Sequence, residues 1–208
     1  MTNWESVFQQ YLQRNATQDK AHDLAHIQRV VGNAKTLANE EKANFDVVIP
    51  AAWLHDCVIV PKNSPERAKA SSIAAKQAIE FLEEINYPRE HLPAIEHAIA
   101  AHSFSANIET KTLEAKVVQD ADRIDALGAV GLARCLITGA QLNLDLYSLD
   151  DPFCESRQGN DRLYTIDHFY CKLLKLKEQM KTTAGRKMAE ERSLFLQSFL
   201  DQLKMEIT

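Results

Sequence analysis

Four residues have the types and spacing to do chemistry together: His26, the doublet His55-Asp56, and Asp122. Two neutral imidazoles and two carboxylates form a hard-to-borderline ligand set. Such a set suits Mn²⁺, Fe²⁺, Co²⁺, Ni²⁺ or Zn²⁺ and leaves positions open for water. The doublet ends the apolar run Ala51-Ala52-Trp53-Leu54, where an ionisable pair is expensive to bury unless something compensates it. A divalent ion would compensate it. A bound ion lowers the pKa of a coordinated water and draws charge off a phosphoryl oxygen. In that chemistry Asp56 is both a ligand and the proton acceptor. Asp125 follows Asp122 by three residues, which on a helix puts both on one side and lets Asp125 orient a ligand or a second ion.

Further polar residues are candidates for contact with substrate. His22 precedes His26 by one turn and Arg29 follows it by nearly one turn, which places both near the mouth of such a site. His102 stands at the start of a loop. His97 lies five residues before it, a step that turns a helix by about 140°, so the two do not share a face and a single tightly held ion is favoured. Lys62 and Arg67 flank the loop that follows the doublet, within reach of phosphate oxygens. His168, Lys172 and Lys175 recur at helical steps as a cationic stripe. The plain alternative for each of these is a solvated helix face or surface loop.

Helices must position these groups. Residues 23–41 carry the apolar stripe Leu24, Ile27, Val31, Ala34 and Ala38. Asp46 is read as the cap of a helix over 47–55, with Pro50 in its first turn. Residues 58–64 read as a loop, and Ser64-Pro65 as the start of a helix that runs to about 85. Asn86-Tyr87-Pro88 breaks it. Helices follow over 92–102 and 113–127, with a loop at 103–110 between them. The helical pattern resumes over 128–138 after a close contact at Gly128 and Gly131. Residues 139–161 form a long loop of the kind that serves as a lid or binding segment. Helices over 163–180 and 183–207 close the chain. No strand pattern or repeat is visible. The expected fold is all-α: one helical bundle with a metal-binding core over about residues 20–130 and C-terminal helices over about 160–208 packed on it.

Composition limits the possible functions. The chain has 208 residues and a net charge of −5, which argues against duplex nucleic acid or an anionic membrane as partner. Cys57, Cys135, Cys154 and Cys171 form no CxxC pair and read as free thiols of a reducing compartment. The first residues lack the basic and apolar segments of a secretion signal. The longest apolar run, 47–54, contains Pro50 and is far shorter than the ~20 residues of a membrane span. The expected location is cytoplasmic.

The spacing H…HD…D resembles the signature of the HD superfamily of metal-dependent phosphohydrolases. The likeness extends to His-Asp-Leu-Ala-His (22–26), Ala-Ala-Trp-Leu-His-Asp (51–56), Ala-His-Ser-Phe-Ser (101–105), Gln-Asp-Ala-Asp-Arg-Ile-Asp-Ala-Leu-Gly (119–128) and residues 168–176. These stretches look like a bacterial subgroup of HD-domain hydrolases similar to a manganese-dependent nucleoside triphosphate pyrophosphohydrolase. The resemblance implies an all-α HD-domain bundle. It implies a divalent metal, manganese first and Co, Ni, Fe, Zn or Mg after it, held by His26, His55, Asp56 and Asp122. It implies a small-molecule nucleotide or phosphate ester as substrate, with pyrophosphate released by attack of a metal-bound water. A 5′-nucleotidase-type phosphomonoesterase and a non-catalytic nucleotide or metal sensor are the alternatives. A di-iron oxygenase would need more ligands than the signature supplies. The acidic residue that some relatives carry just after the doublet is absent, with Ile59 in that region.

Overall fold

The computed structural model describes residues 2–14, 24–58, 60, 66, 69–103 and 106–207. His22, Lys62, Arg67 and the Ser64-Pro65 pair lie outside them. The described residues hold nine α-helices and no β-sheet, so the fold is all-α. Two compact units divide at Asp122/Arg123, inside the last turn of the sixth helix.

The N-terminal unit is built around one apolar helix. Helices α1 (Trp4–Arg14), α2 (Leu24–Glu41), α3 (Phe45–Leu54), α4 (Ala70–Glu84), α5 (Leu92–His102) and α6 (Leu113–Ile124) follow in order, with a 3₁₀ turn at Arg89–His91 before α5. In α3 the residues Val47, Val48, Pro50, Ala51, Ala52, Trp53 and Leu54 are all buried. A helix apolar on every side belongs in the interior, and α1, α2, α4 and α5 pack on it. Glu5 ties this packing at one side, accepting from Trp53 Nε1 at 3.0 Å and from Lys35 Nζ at 2.7 Å.

The start of α3 departs from the sequence reading. The cap is Asn44, not Asp46: its side chain accepts from the Asp46 N–H at 2.9 Å. Pro50 therefore sits in mid-helix rather than in the first turn. A proline there leaves the carbonyl four residues earlier without its N–H donor. That carbonyl belongs to Asp46, and it accepts instead from the Tyr87 hydroxyl at 2.8 Å. Helix α4 begins at Ala70, after a turn at Glu66; the Ser64-Pro65 start expected from the sequence lies outside the described residues. Asn86, at φ 57°, follows its end and turns the chain toward α5.

The C-terminal unit contains α7 (Gly128–Gln141), α8 (Asp167–Cys171), a 3₁₀ segment Leu173–Gln179 and α9 (Thr183–Ile207). Helix α6 stops at Ile124 instead of running to 127. Arg192 Nη1 donates to the Ile124 carbonyl at 3.0 Å, and Leu127 is extended. Gly128 follows at φ 68°, a left-handed conformation that a side chain disfavours, and a Cβ there would also press on Arg192 Cγ at 3.3 Å. Asp125 is consequently off the helix, and the face it would have shared with Asp122 does not extend to it. Helix α7 continues three residues past the expected end at Thr138.

The single helix expected over 163–180 does not form. Residues 163–166 spend their backbone groups on another segment: Thr165 N–H donates to Asp145 O and Ile166 N–H to Leu146 O, each at 2.9 Å, and Asp145 N–H donates to Leu163 O. Only a five-residue helix follows, and Lys172, at φ −136°, separates it from the 3₁₀ segment. The cationic stripe therefore lies on two short elements. The loop before it is held by its own hydrogen bonds. Asp151 accepts from the N–H groups of Glu155, Ser156 and Arg157, and Asp167 accepts from both terminal nitrogens of Arg157 at 2.6 and 2.7 Å.

Candidate functional site

Four elements of the N-terminal unit converge at their polar ends. Helix α2 supplies His26, the turn after α3 supplies His55-Asp56, the last residue of α5 is His102, and α6 carries Asp122. His26 Nε2 lies 3.5 Å from Asp122 Oδ1 and 3.9 Å from Asp56 Oδ2. His55 Nε2 lies 3.6 Å from Asp56 Oδ2 and 3.9 Å from Asp122 Oδ1. His26, His55 and Asp56 each offer one ligand atom within 4.8 Å of the others. These separations are too long for hydrogen bonds. They come near the ~3–3.5 Å between neighbouring ligands that share one ion at about 2.1 Å.

Two histidines are set by the same local device. The His55 Nδ1–H donates to Ala52 O at 2.8 Å and the His102 Nδ1–H to Ile99 O at 2.6 Å, each three residues back in the last turn of its helix. A helix end leaves carbonyls without partners, and here the side chain takes one of them. The proton is thereby fixed on Nδ1, and Nε2 faces the cluster. The two rings meet edge-on, with centroids 4.9 Å apart. Two more carbonyls at the end of α5 are taken by side chains: Ser71 Oγ donates to Ala100 O and Gln119 Nε2 to Ala101 O, each at 2.8 Å. Asn33 Nδ2 donates to Ala121 O, one residue before Asp122, and so joins α2 to α6 beside the cluster.

The electrostatics call for a cation. His55 Nε2 is fully buried and has no hydrogen-bond partner. Its lone pair faces two carboxylates, an arrangement that repels unless a positive centre lies between them. Burial pushes the His55 pKa down, only partly opposed by Asp56, which favours the neutral, ligating form. For His102 burial also acts downward, but Asp56 beside it prevails and the pKa is raised. His102 Nε2 is 3.6 Å from Asp56 Oδ1, so the Asp56 carboxylate has His55 and His26 toward one oxygen and His102 toward the other. The donor set and the unpartnered nitrogen fit a divalent ion.

Other candidate residues fall elsewhere. Arg29 is half-buried on α2. His97 is occupied, its Nε2 accepting from the Lys111 N–H at 3.0 Å. In the C-terminal unit, Asp125 is fully buried and paired with Arg134 at 2.6 Å. His168 donates to Asp161 at 2.8 Å. Lys172 lines a cavity of that unit, whereas Lys175 is exposed on the 3₁₀ segment and does not. Gln119 and Asn33, which tie together helices that carry the candidate residues, carry no sequence signal beyond being polar residues on an apolar helix side.

The model of the HD domain matches residues 23–127. Protein YpgQ of Bacillus subtilis (strain 168) is 32% identical over 194 residues, 91% of this chain and 86% of its own length. The crystal structure of YpgQ in complex with ADP superposes with a TM-score of 0.74 at 29% identity, covering 97% of each chain. That of an HD-superfamily hydrolase from Bacillus thuringiensis gives 0.73 at 32% identity, covering 97% of this chain and 93% of the other. A Lactobacillus plantarum structure gives 0.74 at 30% identity, covering 99% and 98%. Among the described residues no helix is long and apolar enough to cross a membrane.

Proposed function

The chain belongs to the HD domain family, and on that premise we propose that it is a metal-dependent phosphohydrolase that releases pyrophosphate from a nucleoside triphosphate. The observation that carries the reading is the buried, unpartnered His55 Nε2 facing Asp56 and Asp122. His26, His55, Asp56 and Asp122 would hold the ion, with manganese the first choice. A divalent ion bound there supplies Lewis acidity toward a phosphoryl oxygen and lowers the pKa of water at the site. Asp56 accepts the proton of the attacking water. His102, 3.6 Å from the other Asp56 oxygen, steadies the carboxylate electrostatically. Helix ends hold the His55 and His102 imidazoles with their protons on Nδ1, which leaves Nε2 of each toward the cluster. The nucleotide as ligand class is supported by the ADP complex of the relative.

The test is metal-loaded protein assayed against nucleoside tri- and monophosphates, with phosphate and pyrophosphate detected separately. Pyrophosphate from triphosphates is expected. Phosphate from monophosphates would replace this reading with a 5′-nucleotidase. Tight nucleotide binding without turnover under any divalent ion would replace it with a sensor. His55→Ala is expected to lose metal and turnover together while keeping its helical circular dichroism, since the apolar packing of α3 does not use the imidazole.

A further inference from the structure

The C-terminal unit holds a cavity of about 420 Å³ between α7, α8 and the segments that join them. That volume falls within the roughly 300–1,000 Å³ of small-molecule sites. Three permanent cations line it, Arg134, Arg162 and Lys172, against one carboxylate, Asp161. The carboxylate is already engaged by the His168 imidazole at 2.8 Å. Arg134 is held in place from behind: its Nη1 is 2.6 Å from Oδ2 of the fully buried Asp125. An anchored guanidinium loses little further freedom when it binds an oxyanion. Among the described residues, neither Arg162 nor Lys172 makes an ion pair with a carboxylate. Leu142, Leu144 and Leu173 form the apolar part of the wall.

We propose that this cavity is a binding site for a small phosphate ester with an apolar or aromatic portion, its phosphates meeting Arg162, Lys172 and Arg134 and its apolar portion the leucine wall. The lining carries an excess of positive charge, and a pair of free cations next to a fixed guanidinium suits a multiply charged oxyanion better than a single carboxylate. The choice of a nucleoside phosphate as the ligand to try rests on the proposed function above. The charge and shape of the cavity do not.

The test is calorimetric titration of the full chain with inorganic pyrophosphate and with ADP in the presence of EDTA. Binding of ADP to the wild type is expected to be tighter than binding of pyrophosphate, because only ADP reaches the leucine wall. Arg162→Ala and Lys172→Ala, both at exposed positions, are each expected to weaken ADP by roughly ten-fold or more, the scale of one charge-assisted contact. His55→Ala is expected to bind ADP in EDTA as the wild type does. If His55→Ala keeps its metal, the metal reading fails and the cavity result stands. If the wild type binds neither probe at millimolar concentration, if the Arg162→Ala, Lys172→Ala double variant binds like the wild type, or if His55→Ala abolishes the metal-free binding, the cavity proposal is overturned. Where the cation variants also raise KM for the triphosphate, the ligand is the substrate. Where they weaken ADP without changing KM, it is a separate ligand of the same chemistry. Both patterns uphold the site.

Discussion

Two of the buried polar clusters among the described residues differ in how completely they are satisfied. In the C-terminal unit the fully buried Asp167 accepts from both terminal nitrogens of Arg157 and from the Asn160 N–H at 2.6 Å. In the N-terminal unit the equally buried His55 has one nitrogen engaged and the other with no partner. Buried polar groups in folded proteins are paired as a rule, and an exception asks for an explanation. A cluster that closes on itself stabilises its own loop and has nothing left to offer a ligand. A cluster with an open lone pair beside two carboxylates is unfavourable by itself and becomes favourable when a cation arrives. The difference separates a self-satisfied polar cluster from one open to a ligand more sharply than the presence of a buried aspartate does, because both clusters contain one.

The comparison predicts opposite phenotypes. The largest effect is expected at the open cluster: Asp56→Asn removes a charge and the proposed proton acceptor, and turnover should fall by about 10²–10⁴-fold, with little change in the denaturation midpoint. Rate and metal content measured together test this. Full turnover at full occupancy would remove Asp56 from proton transfer.

At the closed cluster the loss is one of stability. Asp167→Asn leaves Arg157 with a weaker partner and is expected to cost about 2–4 kcal/mol in urea denaturation, less than the loss of a wholly buried pair because Arg157 is partly exposed. Burial acts upward on the Asp167 carboxyl, yet Arg157 and the Asn160 N–H together bring its pKa below the ordinary value. A lowered carboxylate pKa gives stability that is complete above the unfolded-state value, about 3.9, and is lost as the pH falls through the folded-state value. The wild type should therefore lose stability below about pH 4, and Asp167→Asn should show a shallower loss there.

The smallest effect sharpens the principle at a single atom. Tyr87→Phe removes only the donor to the Asp46 carbonyl in α3, and a loss of about 1–1.5 kcal/mol is expected. An unchanged midpoint would mean that water replaces the hydroxyl without cost.

That His26, His55, Asp56 and Asp122 come together was legible in the sequence because residue types able to ligate a metal are few and each of these falls on or at the end of a helix that the apolar pattern marks. The ends of α5 and α9 fall where the pattern places them. His102 was legible as a polar residue at a helix end, but its approach to Asp56 comes from the packing of α3 and α5, which no local pattern encodes. The cap of α3 was misread by two residues because both Asn44 and Asp46 are good caps, and the choice fell to Asn44, whose side chain reaches the Asp46 N–H. The apolar steps of residues 163–180 do read as a helix. Tertiary pairing of 163–166 with Asp145 and Leu146 overrides them.

The hydroxyl of Tyr87 acts as a substitute amide for a helix forty-one positions earlier in the chain. During synthesis, α3 leaves the ribosome with the Asp46 carbonyl lacking its donor, and the group that completes the ladder has not yet been made. The segment that presents the doublet thus reaches its final hydrogen bonding only when the corner after α4 is translated and docks. Completion of α3 is thereby tied to vectorial order: the helix that presents the doublet waits for a corner translated some thirty residues later.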